Sequence, residues 1–345
     1  MPYINTSVWS IWNNKGGTGK TSLAFQVVCR DAQRNPKKRY LVIDLCPQAN
    51  LSELMLGGLS NNGSAKLLQR QGMVPRCSIG GYFDLRIQNP FTKPGFAAGD
   101  FVTKPSLFNA AIPKNIDLVC GDPLLELQAI AMNSLASGQF AVVDPWLSVI
   151  DWVRHLIEEV DMDYEMVFID TNPSFSMYTQ LALAASEKVI MPVMADDSSR
   201  RAIQNAFSLI YGVKLPSDVY AKYTFASKLK AAGRELPKIR LILKNRLTQY
   251  MGSASAYQAV LSGIDSDLKQ LIKDYPDFFD FATVKEGIVD IRDFGTTGVV
   301  AFARGTPFAV MPTGKLTIAG LRVQVKPEYK DDAVEFVDRV VAKLT

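Results

Sequence analysis

Histidine and paired cysteine are what this chain most lacks. Of 345 residues only His155 is a histidine, and it falls in the amphipathic pattern Trp146 to Ile157, where it reads as a helix surface residue rather than a catalyst. The four cysteines, Cys29, Cys46, Cys77 and Cys120, lie far apart with no C-x-x-C pair, which argues against a disulfide framework and a zinc site. Any metal is therefore expected to be Mg²⁺ on oxygen ligands. No stretch reaches the roughly 18 consecutive apolar residues of a membrane span. Met1 to Ser7 also lacks the basic n-region of an export signal. A strong charge of one sign is missing too, since the net charge is only +4, and there is no internal repeat or low-complexity tract. These absences describe a cytoplasmic globular protein.

What is present is a large apolar fraction, 48% of residues, enough for a sizeable core in one large domain or two modest ones. Apolar strands alternate with helical patterns. Strands are predicted near 8–13, 40–45, 116–119, 165–170, 188–193, 238–244 and 279–284. Helices are predicted near 20–33, 122–136, 144–160, 176–186, 198–213, 254–274, 286–303 and 328–344. This alternation predicts an α/β fold, a mostly parallel twisted sheet with helices on both faces and its chemistry at the carboxyl ends of the strands. Two segments read as insertions on a single 1–345 domain. Residues 57–115 have the glycine and proline content of loops, but Tyr82, Phe83, Phe91, Phe96, Phe101 and Phe108 are too many aromatics for a disordered linker. The second, 214–236, is basic in character.

The most informative segment is Asn14-Lys15-Gly16-Gly17-Thr18-Gly19-Lys20-Thr21, between the apolar run Val8 to Trp12 and a helical stretch. Glycines without a Cβ let backbone N–H groups wrap an anion, and the following helix points its positive end at it. Lys20 is the lysine for the β- and γ-phosphates, and the Thr21 hydroxyl is the Mg²⁺ ligand. Two apolar strands end in acids: Tyr40 to Leu45 runs into Asp44-Leu45-Cys46-Pro47-Gln48, and Met166 to Ile169 into Asp170-Thr171-Asn172-Pro173-Ser174. An acid at the end of a buried parallel strand is where such a fold holds Mg²⁺ through water, which assigns Asp170 to the metal.

The second loop lysine, Lys15 in K-G-G-T-G-K-T, resembles the deviant Walker A signature of the ParA/MinD family. The Asp44 segment is similar to that family's D-x-D-P-Q, the Asp170 segment to its Walker B strand, and Leu241 to Arg246 to the strand whose terminal Asn-Arg contacts adenine. Weaker likenesses cover Val189 to Asp197 and Gly295 to Pro307. The resemblance implies a P-loop NTPase fold, ATP and Mg²⁺ as cofactors, and ATP hydrolysis to ADP and phosphate. It further implies catalytic roles for Lys15, Lys20 and Asp44, with Lys15 acting in trans across an ATP-dependent homodimer. Gly16, Gly17, Thr18, Gly19, Lys20, Thr21, Ser22 and Asn245 are implied to bind nucleotide. One departure stands out: relatives have an acid immediately before the proline, and here it is Cys46, so slow hydrolysis is expected.

Charge distribution bears on partners. From 222 to 246 eight basic residues face one acid, Glu235, a local +7 with Tyr223 and Phe225 interleaved. Such a patch neutralises backbone phosphates without reading sequence, and Lys228, Lys230, Arg234 and Lys238 are its candidate DNA contacts. In the carboxyl-terminal segment, Val334, Val337, Val341 and Leu344 form a helical stripe, but Asp331, Asp332, Glu335 and Asp338 would be repelled by an anionic membrane. A helix closing over the core is expected, not a MinD-like membrane anchor. With 13 residues ahead of the loop, no helix-turn-helix domain is expected before it. The resemblance thus implies a nucleoid-associated ATPase that binds DNA nonspecifically and segregates or positions a plasmid, a chromosome region or an organelle such as a carboxysome through a separate adaptor protein. The alternatives are a MinD-type membrane-surface regulator and a metabolic P-loop ATPase.

Overall fold

The computed structural model describes residues 6–139, 144–160, 163–194, 196–247 and 255–344. Among them, eight strands form one sheet: β1 (Ser7–Ile11), β2 (Tyr40–Leu45), β3 (Val102–Thr103), β4 (Ile116–Val119), β5 (Met166–Thr171), β6 (Lys188–Met194), β7 (Lys238–Leu247) and β8 (Ile288–Arg292). Their spatial order is β3-β4-β2-β5-β1-β6-β7-β8, parallel throughout except for β3 against β4. The fold is α/β with helices on both faces. Alternation along each strand sends Val8, Trp12, Leu41 and Ile43 into one buried layer and Trp9, Ile11, Tyr40 and Val42 into the other.

Two predicted elements are corrected at the far edge of the sheet. Residues 279–284 contribute only an isolated bridge from Phe279 to Ile239, and the last strand is β8, inside the stretch 286–303 predicted to be helical. Its period is two, with Val289 and Ile291 buried and Asp290 and Arg292 exposed, as suits an edge strand. The helix begins only at Gly295 and runs to Arg304. The predicted helix 144–160 is two, Pro145–Ile150 and Trp152–Glu159, divided at Asp151. A hairpin of β9 (Gly314–Ile318) and β10 (Leu321–Val325) escaped the sequence reading. Its two-residue turn has positive φ at both Ala319 (48°) and Gly320 (83°), the combination that matches strand twist.

In the segment 57–115, Tyr82, Phe83 and Phe101 are buried in the core, with Phe101 edge-on to Tyr82 at 5.7 Å. Both ends of the segment are bound to the late helix and its cap: Ser60 N–H donates to the Ala303 carbonyl (2.8 Å) and Asn109 Nδ2 to the Gly305 carbonyl (2.7 Å). At the other end of the chain, the helix Pro327–Val341 buries Ala333, Val337, Val340 and Val341. There Arg30 makes a two-pronged contact with Asp338 (2.7 and 2.8 Å). No helix among the described residues is long and apolar enough to cross a membrane.

Candidate functional site

β1 delivers the chain to a loop that the helix Lys20–Arg34 follows at once. The loop turns through Gly17 (φ 72°) and Gly19 (φ 82°), both left-handed. A Cβ on Gly19 would lie 2.3 Å from Nδ2 of Asn245, so glycine is what lets the end of β7 approach. That amide donates to the Thr18 carbonyl at 2.9 Å and ties β7 to the loop. Over Gly17 the space is open, with nothing within 4 Å of where a Cβ would stand.

The two loop lysines point in different directions. Lys20, 7% exposed, curls back along the loop and donates to the carbonyls of Asn13 (3.2 Å) and Lys15 (3.0 Å). Burial pushes its ammonium down to about 8, against the opposing pull of Asp170. Lys15 leaves the loop and pairs with the carboxylate of Asp196, with Ser199 Oγ 3.4 Å away. Asp196 also caps the helix Asp197–Tyr211, its Oδ1 accepting from Ser199 N–H (2.9 Å) and Ser199 Oγ (3.0 Å). Burial would raise this carboxyl, but Lys15, Ser198 and Ser199 hold it down to about 2.

Behind the loop stand two acids. Thr21 Oγ1 donates to Asp170 Oδ2 (2.8 Å), while Asp170 Oδ1 is buried without a hydrogen-bond partner among the described residues. Asp44 is the register neighbour of Asp170 across β2 and β5. Both carboxyls are raised, first by burial, and Asp170 also by the charge of Asp44. Asp44 itself is fully buried and committed: Oδ2 accepts from Ser52 N–H (2.9 Å) and Ser52 Oγ (2.7 Å), and Oδ1 from Cys46 N–H (3.2 Å). Through Ser52, Asp44 anchors the helix Asn50–Leu56. Cys46 is 9% exposed, and burial, with the two aspartates adding, pushes its thiol up to about 12. It is neutral at ordinary pH. Thr18 Oγ1 and Asn14 Oδ1 join Asp170 Oδ1 as buried oxygens without partners.

Beside Gly19 and Ser22 opens a cavity of about 800 Å³. Asn245 and Asp293 contribute polar groups, and Leu54, Phe294, Phe302 and Phe308 supply apolar walls. Sequence reasoning named Asn245 and Ser22 here but missed Asp293, Ser52 and Ser199. Ser199 had a signal, the D-x-x-S spacing before a helix.

The basic run is less free than its sequence charge suggests. Lys244 is 5% exposed and paired with Asp265 (3.0 Å) and Asp290 (2.8 Å), and Arg240 lies beside Asp280. Arg234 grips Asp151 through two 2.9 Å contacts. The Arg246 side chain lies outside the described residues. Lys228 and Lys230 ride on the helix Phe225–Ala231, with Lys228 Nζ 5.3 Å from the Trp146 ring centre. Lys238 opens β7, at the end of the sheet remote from the phosphate-type loop.

The family described as an AAA domain matches residues 6–218, more than half of the chain. Its matched stretch contains the glycine loop, both strand-end acids and Asp196. The chain belongs to the ParA/MinD family of P-loop ATPases. Cell division protein PomZ of Myxococcus xanthus is 24% identical over 203 residues, 59% of this chain and 50% of PomZ. The chain spans between half and two thirds of the length of the curated relatives it matches. Among solved structures, the ATP complex of McdA from Cyanothece superposes with a TM-score of 0.62 at 12% identity, over 99% of this chain and 96% of McdA. A putative plasmid partition protein from Borrelia burgdorferi bound to AMPPNP gives 0.55 at 13% identity, over 99% of this chain and all (100%) of that one. These likenesses extend the fold over the whole chain of this ParA/MinD-family member.

Proposed function

We propose that this ParA/MinD-family chain binds ATP with Mg²⁺, dimerises around it, hydrolyses it slowly, and in that state binds DNA nonspecifically to segregate or position a cargo. The observation that carries the reading is the opposite course of the two loop lysines. Lys20 stays on the loop, where its charge serves the chain's own phosphates. Lys15 reaches away from it to Asp196 of the same chain, so it does not serve the chain's own phosphates and is left for a second subunit once that pair opens.

The site fits the cofactors. Asp170 Oδ1 and Thr18 Oγ1 are buried oxygens without a partner among the described residues, and the space over Gly17 is open, leaving room for an anion against the loop backbone. Thr21 and Asp170 would hold Mg²⁺, which supplies charge neutralisation during phosphoryl transfer. Gly16, Gly17, Thr18 and Gly19 would hold phosphates with their N–H groups, and Ser22 and Asn245 border the cavity for the base. Asp44 acts at one remove, fixing the Cys46 backbone and the start of the helix that carries Ser52. Cys46, a neutral thiol, offers a water only weak orientation, which is why the proposed turnover is slow. Lys228, Lys230 and Lys238 supply positive charge for DNA phosphates, and Arg234 shapes that surface through Asp151.

The membrane-surface alternative is disfavoured because the carboxyl-terminal helix spends its apolar stripe on the core. The cargo, whether plasmid, chromosome region or an organelle such as a carboxysome, would be selected by a separate adaptor protein. Cosedimentation with DNA and with anionic liposomes, each with and without ATP, tests the reading. Pelleting with DNA only when ATP and Mg²⁺ are present is expected; pelleting with liposomes but not with DNA overturns it.

A further inference from the structure

β5 ends in Asp170 and Thr171 and passes at once into a short connection, residues 172–176, ahead of the helix Met177–Ala185. On one side this connection borders the phosphate-type loop. Pro173 Cγ lies 4.0 Å from where a Cβ on Gly16 would stand, and the Phe175 ring meets that of Trp12, at the foot of the loop, with centres 5.5 Å apart. On the other side Phe175 meets Phe225 edge-on, 5.9 Å away at 87°. Phe225 is 3% exposed and opens the helix Phe225–Ala231, which carries Lys228 and Lys230. Its ring in turn meets Trp146 at 6.4 Å, and Lys228 Nζ stands 5.3 Å from the centre of that indole. A file of rings, Trp12, Phe175, Phe225 and Trp146, therefore runs from the foot of the phosphate-type loop to the basic helix.

The connection is hydrogen-bonded to itself and to the helix it feeds. Ser174 N–H donates to Asn172 Oδ1 (3.0 Å), Gln180 Nε2 to the Phe175 carbonyl (3.3 Å), and Ser174 Oγ lies 3.5 Å from the Tyr178 hydroxyl. Toward Trp12 and Phe225 it is held by ring contacts. Trp12 Nε1, Ser176 Oγ and Thr179 Oγ1 are buried around it with no hydrogen-bond partner among the described residues, although buried polar groups are nearly always paired. Ring contacts without directional bonds let one body slide on another. The basic helix and Trp146 form such a body, because Arg234, just past that helix, grips Asp151 at the end of the helix Pro145–Ile150 that holds Trp146.

We infer that Phe175 is a positioning residue that carries the state of the nucleotide site to the basic surface. The connection takes one position when Asp170 is engaged by Mg²⁺ and nucleotide and another when it is not, and Phe175, seated between Trp12 and Phe225, moves the helix that presents Lys228 and Lys230. The inference rests on the ATP-dependent DNA binding proposed above and supplies its regulation. A ligand shifts an equilibrium only through contacts that differ between the two positions. Here they are the contacts of Asp170 at the head of the connection and the ring contacts of Phe175 at its tail.

The test is fluorescence anisotropy of a labelled duplex with the full chain, with ATP and Mg²⁺, with ADP and Mg²⁺, and without nucleotide. The variants are Phe175→Leu, Phe225→Leu and Phe175→Tyr, with melting temperature verifying the fold. The parent is expected to bind duplex more tightly with ATP than with ADP. In Phe175→Leu that ratio should fall about tenfold, while duplex affinity without nucleotide, affinity for a fluorescent ATP analogue and the ATP-dependent dimer in sedimentation velocity stay within about twofold of the parent. Phe175→Tyr keeps the ring and should keep the ratio. Phe225→Leu breaks the same contact from the other side and should reproduce the fall, so it carries the test if Phe175→Leu does not fold; the double variant should lose no more than either single one. A parent-like ratio in the folded leucine variants, a loss of DNA affinity equal in all three nucleotide states, or a loss of dimer in step with the loss of DNA binding overturns the inference and leaves the DNA reading standing. Equal parent affinity with ATP and ADP overturns the inference together with the ATP dependence of that reading. No binding to duplex in any state overturns both.

Discussion

The Lys15 ammonium and the Asp196 carboxylate are paired within one chain, 181 residues apart in sequence. A lysine that acts on a second subunit must first leave this partner, so the pair opposes dimerisation. Asn at 196 keeps an oxygen to cap the helix and removes the charge. Asp196→Asn should therefore raise the fraction of ATP-dependent dimer at a given concentration, measured by light scattering after size exclusion. An unchanged or smaller dimer fraction in a folded variant would mean the contact plays no restraining part.

The two lysines should separate in nucleotide binding. Lys20→Ala removes the charge that follows the loop and should abolish ATP binding. Lys15→Ala should leave monomer affinity within a few fold and prevent the dimer. Titration of a fluorescent ATP analogue, followed by sedimentation velocity, distinguishes them, and equal loss of affinity in both would reject the division of labour.

Much of this was written in local pattern. Glycine spacing announced the loop, and β2 and β5 were legible because each is an apolar run ending in an acid. The partnerships were not. Asp196 with Lys15, Ser52 with Asp44 and Arg234 with Asp151 are contacts between side chains brought together by tertiary packing, and spacing holds no record of them. β8 was misread because a short apolar run with glycines on both sides suits either an edge strand or the start of a helix, and only its neighbour β7 decides.

The basic surface should divide into two classes of residue. Lys228→Glu with Lys230→Glu reverses charge at positions with no carboxylate contact among the described residues, and should weaken DNA binding on every sequence alike, more so at low salt. Arg234→Glu instead faces Asp151 with a second acid and breaks a two-pronged contact, costing about 1 to 3 kcal/mol of stability. Filter binding and thermal melts together test the split. A parent-like melting temperature for Arg234→Glu would show that the contact to Asp151 contributes nothing.

His155 gives the pH dependence. Arg86 Nη1 faces its Nδ1 at 3.0 Å, and burial, with the Arg86 charge, pushes the imidazole down to about 4. The unfolded value is about 6.5. Because the folded pKa is the lower, the stability from keeping this ring neutral is present above about pH 6.5 and is lost as the pH falls toward about 4. His155→Gln retains an acceptor for Arg86 and cannot gain a proton. Relative to the parent, its melting temperature should improve on going from neutral pH to about pH 5. A pH-independent difference between the two would place the acid sensitivity elsewhere.

Cys46 invites the most direct test of the proposed slow turnover. Its thiol lies beside Asp44 and Asp170, whose charges already raise it, so a carboxylate at 46 would make a third acid in one buried cluster. Without metal that crowding is unfavourable, since like charges and burial both resist ionisation. With Mg²⁺ bound the added charge is compensated, and the new oxygen can orient a water where the neutral thiol cannot. Cys46→Asp should therefore melt lower than the parent without Mg²⁺, recover with Mg²⁺ and ATP, and turn over ATP faster. The gain should be on the order of 10², the lower end of what a positioned base contributes. Faster turnover should shorten the lifetime of the ATP dimer on DNA, read as a higher dissociation rate in a flow chase. A variant that binds ATP normally with unchanged turnover would show that the water is held by a different group and that the thiol is not what limits hydrolysis.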